Sequence, residues 1–125
     1  MQNNLVIGFY REFSLIAGIG TDIVEVARLE NKPALWKKFL SEKDFEYVGK
    51  FKNSLERIAG FWAAKEALVK ALDDKTINFS SISIVHSESG KPFFENVPYD
   101  GTFHLSISHE KEFAVALVVW EKNET

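Results

Sequence analysis

Glu66 and Lys70 stand four residues apart, acid first, in a segment patterned as a helix (FWAAKEALVKA, residues 61–71). Such a pair shares one helix face, and its ordinary role is a modest local stabilisation of that helix. Its residue types also permit chemistry: a carboxylate can hold a divalent cation, and an ammonium can clamp a phosphate. A second acid, Asp22, follows the glycines of GIGTD (residues 18–22), where an Asp is ordinarily a turn former or helix N-cap. Two carboxylates completed by water and phosphate oxygens are the usual magnesium set, because magnesium seldom has an all-protein cage. His109, close to Ser106 and Ser108 at a strand end, can serve as a turn residue or as an anion donor. His86 and His104 fall within predicted strands and read as ordinary sheet residues. Three scattered histidines and no cysteine make no recognisable zinc spacing.

Lys65 is the anomaly of this segment. At a hundred degrees per residue, Ile58, Phe61, Trp62, Leu68, Val69 and Leu72 form one apolar stripe, and Lys65 lies in its middle. An ammonium buried without a partner costs several kcal/mol, so Lys65 must snorkel or meet an anion. A phosphate entering beside the helix is one such partner; a buried anchor and a subunit boundary are the others.

The chain around these residues has 125 amino acids, enough for one domain with a real core and too few for two. Its 46% apolar content, with eleven phenylalanines, marks a folding sequence. No apolar run reaches the length of a membrane span, and the first residues lack signal-peptide character, so a soluble cytoplasmic domain is expected. The net charge of −3 is uneven: residues 28–52 hold seven Lys or Arg against four acids, while the remainder holds eight against fourteen. That basic segment is either a solvated face or a docking face for an acidic partner. No Ser-His-Asp order, Walker loop, dinucleotide fingerprint or RNP-like motif is present.

The positioning elements follow from pattern. Phe13 to Ile23 reads as a buried strand with two glycines. Pro33 opens a short helix, and Ser41 with Asp44 forms a capping box that starts another. A longer helix runs from about Asn53 to Leu72. Strands follow at Ser81–His86, Phe93–Val97, Phe103–His109 and Phe113–Trp120, the first two separated by a turn at SESGKP. The last strand, FAVALVVW, is apolar on both faces and should be central or at an interface. The expected class is α+β, with helices packed on a small, mainly antiparallel sheet. Residues 1–16 are expected to be an extension, an added strand or mobile, before a single domain at 17–125.

Three blocks, GIGTDIVEVAR (18–28), FWAAKEALVKA (61–71) and SISHEKEFA (106–114), occur in one order in a chain of fitting size. Together they closely resemble the holo-acyl-carrier-protein synthases, the small bacterial 4′-phosphopantetheinyl transferases, and Gly90-Lys91-Pro92 matches a further element of that family. The resemblance implies that CoA and Mg²⁺ are used to modify a serine of apo-acyl carrier protein, releasing 3′,5′-ADP, in support of fatty acid biosynthesis. It implies that Asp22 and Glu66 hold Mg²⁺ against the pyrophosphate, that Lys70 binds that pyrophosphate, and that Gly90, Lys91, Pro92 and His109 help hold CoA. Glu66 or a metal-bound water would accept the serine proton. Arg28, expected on the first helix, would meet acidic residues of the carrier protein. A homotrimer with sites between subunits is implied as well.

The chain departs from the family pattern at Phe61, where arginine is common, and at Asp73-Asp74, where a Gly-Thr-Gly loop is common. These departures leave a rival reading, a carrier-protein-binding module without catalysis. A basic-faced nucleic-acid binder rests on residues 28–52 alone, and would show salt-sensitive binding.

Overall fold

A computed structural model describes residues 13–124 (the side chain of Glu124 excepted), so the expectation for the first twelve residues lies outside it. The chain folds as α+β. Strand β1 spans Phe13–Glu25, followed by a single 3₁₀ turn at Val26–Leu29. Helices α1 (Pro33–Phe39), α2 (Glu42–Val48) and α3 (Ser54–Leu72) come next. A second 3₁₀ turn at Phe79–Ser81 leads into β2 (Ser83–His86) and β3 (Pro92–Glu95), then β4 (Thr102–His109) and β5 (Phe113–Glu124). Strand β5 is central in an antiparallel sheet of order β1-β5-β4, as its two-sided apolar pattern requires, and β2-β3 is a separate hairpin.

Helix α3 lies across one face of the three-stranded sheet. Two glycines on β1 let it come close: a Cβ on Gly18 would sit 1.9 Å from the Ala71 carbonyl oxygen, and one on Gly20 would sit 2.0 Å from that of Ala67. On the helix side the contact is made by Ala67 and Ala71, whose small side chains permit backbone approach, and Ala63 and Ala64 are buried as well. The apolar stripe expected on α3 is therefore wider than a stripe. Trp62 and Val69 are only half-buried, while the alanines on the sheet side and Phe61, Leu68 and Leu72 are all buried.

Two expectations need correction. Strand β1 is not buried: Ile19 and Ile23 are each 63% exposed, because α3 covers only the face that carries Gly20 and Val24. Its apolar residues alternate between a covered and an open face. Phe113, Val115 and Leu117 of β5 lie on the same open side, in register with Glu25, Ile23 and Thr21, and are also exposed. Arg28 sits on the 3₁₀ turn rather than on a helix, and is exposed.

Lys65 is fully buried, and no phosphate is needed to explain it. Its ammonium pairs with Asp44 Oδ2 at 2.6 Å and donates to the carbonyl oxygens of Phe39, Phe79 and Ile82 at 2.6, 2.9 and 2.6 Å. Asp44 is the acid of the α2 capping box: Ser41 Oγ accepts from the Asp44 amide, and Asp44 Oδ2 accepts from the Ser41 amide. Its Oδ1 accepts from the Ile84 amide at 2.8 Å. One ion pair thus ties the end of α1, the start of α2, the middle of α3 and the entry to β2. Burial pushes the Lys65 pKa down, with Asp44 opposing. The sequence supplied the anomaly, and a residue twenty-one positions away resolves it.

Candidate functional site

Asp22 pairs with Ala116 of β5, which in turn pairs with Ile107 of β4, so all three lie on the face beneath α3. Asp22 is neither a turn former nor an N-cap: it lies inside β1. Gly18 and Gly20 seat this strand against the C-terminal half of α3, and that contact brings Asp22 to Glu66 and Lys70. Lys70 Nζ lies 3.1 Å from Asp22 Oδ1 and donates to the Thr21 carbonyl at 2.9 Å. Asp22 Oδ2 is buried and has no hydrogen-bond partner. Burial and then the Asp22 carboxylate raise the Glu66 pKa above the ordinary carboxylate range, with Lys70 partly offsetting them.

That arrangement fits a divalent cation. Asp22 keeps one buried carboxylate oxygen without a hydrogen-bond partner beside a second carboxylate, and a divalent cation would satisfy both acids. Among the described residues no cluster of three or more His, Cys, Asp or Glu forms. The donor set therefore suits a hard ion whose remaining ligands are water and phosphate oxygens.

A cleft of about 170 Å³ lies toward the N-terminal half of α3. Helix α3 gives it Arg57, Gly60 and Phe61; α2 gives Tyr47; β2 gives His86. The β2-β3 turn adds Gly90, the start of β3 adds Pro92, and β4 adds Ile107 and His109. Gly90 has φ +91° and open space around its Cβ position, so the turn's conformation, not crowding, calls for glycine. Lys91 is exposed and does not line the cleft; its amide and carbonyl close the turn onto Ser87. His109 Nδ1 lies 3.0 Å from Glu56 Oε1. An ionised carboxylate only accepts, so Nδ1 carries the proton of that bond and Nε2 is left for another partner.

Arg57 and Tyr47 of this cleft escaped the sequence reading, which also misjudged His86. His86 is not an ordinary sheet residue: its ring stacks on Tyr47 at 4.2 Å, and its Nδ1 is buried without a partner. Burial, and then the Arg57 charge, push its pKa down. Phe61 is buried and stacks on Tyr47 at 5.7 Å, so the position where arginine is common in the family is part of an aromatic wall. Arg57, one turn earlier, supplies the guanidinium. The available signals were its i, i+4 spacing to Phe61 and the closeness of His86 to the SESGKP turn. By contrast, His104 pairs with Glu121 at 2.8 Å, as a cross-strand sheet residue. Asp74 is held locally by Thr76 and Tyr99, and Asp73 caps α3 in a left-handed conformation.

Residues 18–118 match the model of the 4′-phosphopantetheinyl transferase superfamily. A holo-(acyl-carrier-protein) synthase of Lactococcus lactis is 38% identical over 119 residues, covering 87% of this chain and all of that one. One from Petrotoga mobilis is 40% identical over 117 residues, covering 84% and 96%. The crystal structure of the Bacillus anthracis holo-(acyl-carrier-protein) synthase, in complex with CoA (3′,5′-ADP), superposes with a TM-score of 0.79 at 38% identity, covering 86% of this chain and 97% of that one. The Helicobacter pylori enzyme, in complex with coenzyme A, gives 0.71 at 34% identity, covering 82% and 98%. These matches span all three sequence blocks and weigh against the non-catalytic rival: the chain belongs to the 4′-phosphopantetheinyl transferase superfamily, as an enzyme of its holo-(acyl-carrier-protein) synthase family.

Proposed function

We propose that this enzyme transfers the 4′-phosphopantetheine arm of CoA to a serine of apo-acyl carrier protein, in a Mg²⁺-dependent reaction that supports fatty acid biosynthesis in the cytoplasm. The observation that carries the site assignment is the buried, unpartnered Oδ2 of Asp22 beside Glu66, with Lys70 at 3.1 Å from the other Asp22 oxygen. Asp22 and Glu66 would hold Mg²⁺, which when bound supplies Lewis-acid neutralisation of the pyrophosphate.

The chain's own groups account for the rest. Lys70 is exposed enough to turn from Asp22 to a pyrophosphate oxygen and offset the charge that develops as the bond breaks. The serine oxygen bonds to the phosphorus that carries the pantetheine arm. The bond from that phosphorus to the bridging oxygen breaks, and 3′,5′-ADP leaves. The serine proton would pass to Glu66 or to a metal-bound water. The cleft at Gly90, Pro92 and His109 would hold the nucleotide end of CoA, with Lys91 at its margin. Exposed Arg28 would meet acidic residues of the carrier protein.

A homotrimer is proposed on the open sheet face. Ile19, Ile23, Val115 and Leu117 form a contiguous apolar surface that a second copy of the chain would cover.

The test is intact mass spectrometry of apo-acyl carrier protein after incubation with CoA, Mg²⁺ and the enzyme. A gain of one phosphopantetheine is expected, abolished by EDTA and by Glu66→Gln. A gain that survives both controls would reject the metal and carboxylate roles; no gain would reject the transfer itself.

A further inference from the structure

The cleft holds a guanidinium with unused donors. Arg57 has five N–H groups. Nε donates to Asn53 Oδ1 at 3.2 Å and Nη1 makes a long contact to the Tyr47 hydroxyl at 3.4 Å, while the guanidinium carbon lies 3.7 Å from the centre of the Phe51 ring. Three N–H groups therefore remain. Among the described residues Arg57 makes no ion pair, and the nearby Glu56 is engaged by His109. His86, in the same cleft, also has a nitrogen without a partner. A half-buried cation with a free donor fork, in a cleft that also holds two imidazoles, suits an anion that can accept two parallel bonds.

We infer that Arg57 is the specificity-determining residue of this cleft, and that it recognises a terminal phosphate monoester: the 3′-phosphate of CoA. The inference rests on the CoA reading above. CoA carries a pyrophosphate and a ribose phosphate monoester, and Asp22, Glu66 and Lys70 account for the first. Arg57 is nine residues from Glu66 along α3, about 13–14 Å at the helical rise, with Gly60 and Phe61 of the cleft wall between them. One nucleotide together with the reach of the arginine side chain spans that distance, so a ligand held at Glu66 by its pyrophosphate would present its monoester toward Arg57. Phe61 cannot serve instead, since it is uncharged and closed into the aromatic wall.

The experiment compares calorimetric affinities for CoA and for 3′-dephospho-CoA in the wild-type enzyme, Arg57→Met and Arg57→Lys, each checked by thermal melting. Wild type should prefer CoA by about tenfold or more. Arg57→Met, which keeps an aliphatic stem over Phe51, should abolish the preference by weakening CoA alone. Arg57→Lys, which keeps the charge and loses the fork, should retain part of it. If Arg57→Met and Arg57→Lys both keep the wild-type ratio, or if the wild type shows no preference, the inference is wrong while the CoA reading stands. If the wild type binds neither nucleotide, the CoA reading falls and takes the inference with it.

Discussion

Replacing Lys65 by methionine removes an ammonium while keeping much of the side chain's length and volume. Asp44 then keeps the amide bonds from Ser41 and Ile84 and loses its only cation, at zero solvent exposure. The carbonyls of Phe39, Phe79 and Ile82 lose a donor as well. Removing one partner of a buried pair costs about 3–5 kcal/mol, most of it the uncompensated charge left behind. A domain of this size has roughly 5–15 kcal/mol in all, so the loss is a large fraction of its stability. With a urea dependence of about 1.5 kcal/mol per molar, the unfolding midpoint should fall by about 2 M or more. Fluorescence of the three tryptophans reports the transition, at one protein concentration throughout so that any oligomer equilibrium is held fixed. Asp44→Asn removes the opposite charge, and the double variant Lys65→Met with Asp44→Asn should be more stable than the sum of the two losses by about 2 kcal/mol. A Lys65→Met midpoint shift worth less than about 1 kcal/mol, or two losses that simply add, would refute the view that this pair neutralises itself inside the core.

Two further outcomes follow from the geometry. The His86 pKa is depressed by burial and then by Arg57, so between the folded value and 6.5 the unfolded chain binds more protons. Stability is therefore fully present above about pH 6.5 and is lost as pH falls through the folded value. His86→Phe, which keeps a ring on Tyr47, should flatten that acid limb in urea titrations at stepped pH; an unchanged limb would remove His86 from the account. On the open sheet face, Leu117→Lys should leave the fold intact, because the residue is 42% exposed. It should lower the mass seen by light scattering toward that of one chain, and an unchanged mass would place the trimer contact elsewhere.

Local spacing was enough to read most elements. Pro33 starts α1, Ser41 and Asp44 cap α2, and the long helix ends at Leu72, because caps and periodicities act over four residues or fewer. The pairing of Glu66 with Lys70 on one helix face was legible for the same reason. Strand β1 was misjudged because one open face and one covered face carry apolar residues alike, and only the packing of α3 tells them apart.

By itself, then, the sequence determined the residue types of the site, the order of the elements and the family they belong to. Tertiary structure decided which of those residues meet. Asp22 reaches Glu66 only because Gly18 and Gly20 let β1 press on α3, and that contact joins positions more than forty residues apart. Lys65 sits in the core because Asp44 neutralises it there, and Arg57 lines the cleft beside a Phe61 that stacks on Tyr47. Spacing along a helix fixes neighbours within one turn or two, whereas a buried charge is placed by whichever distant group can neutralise it.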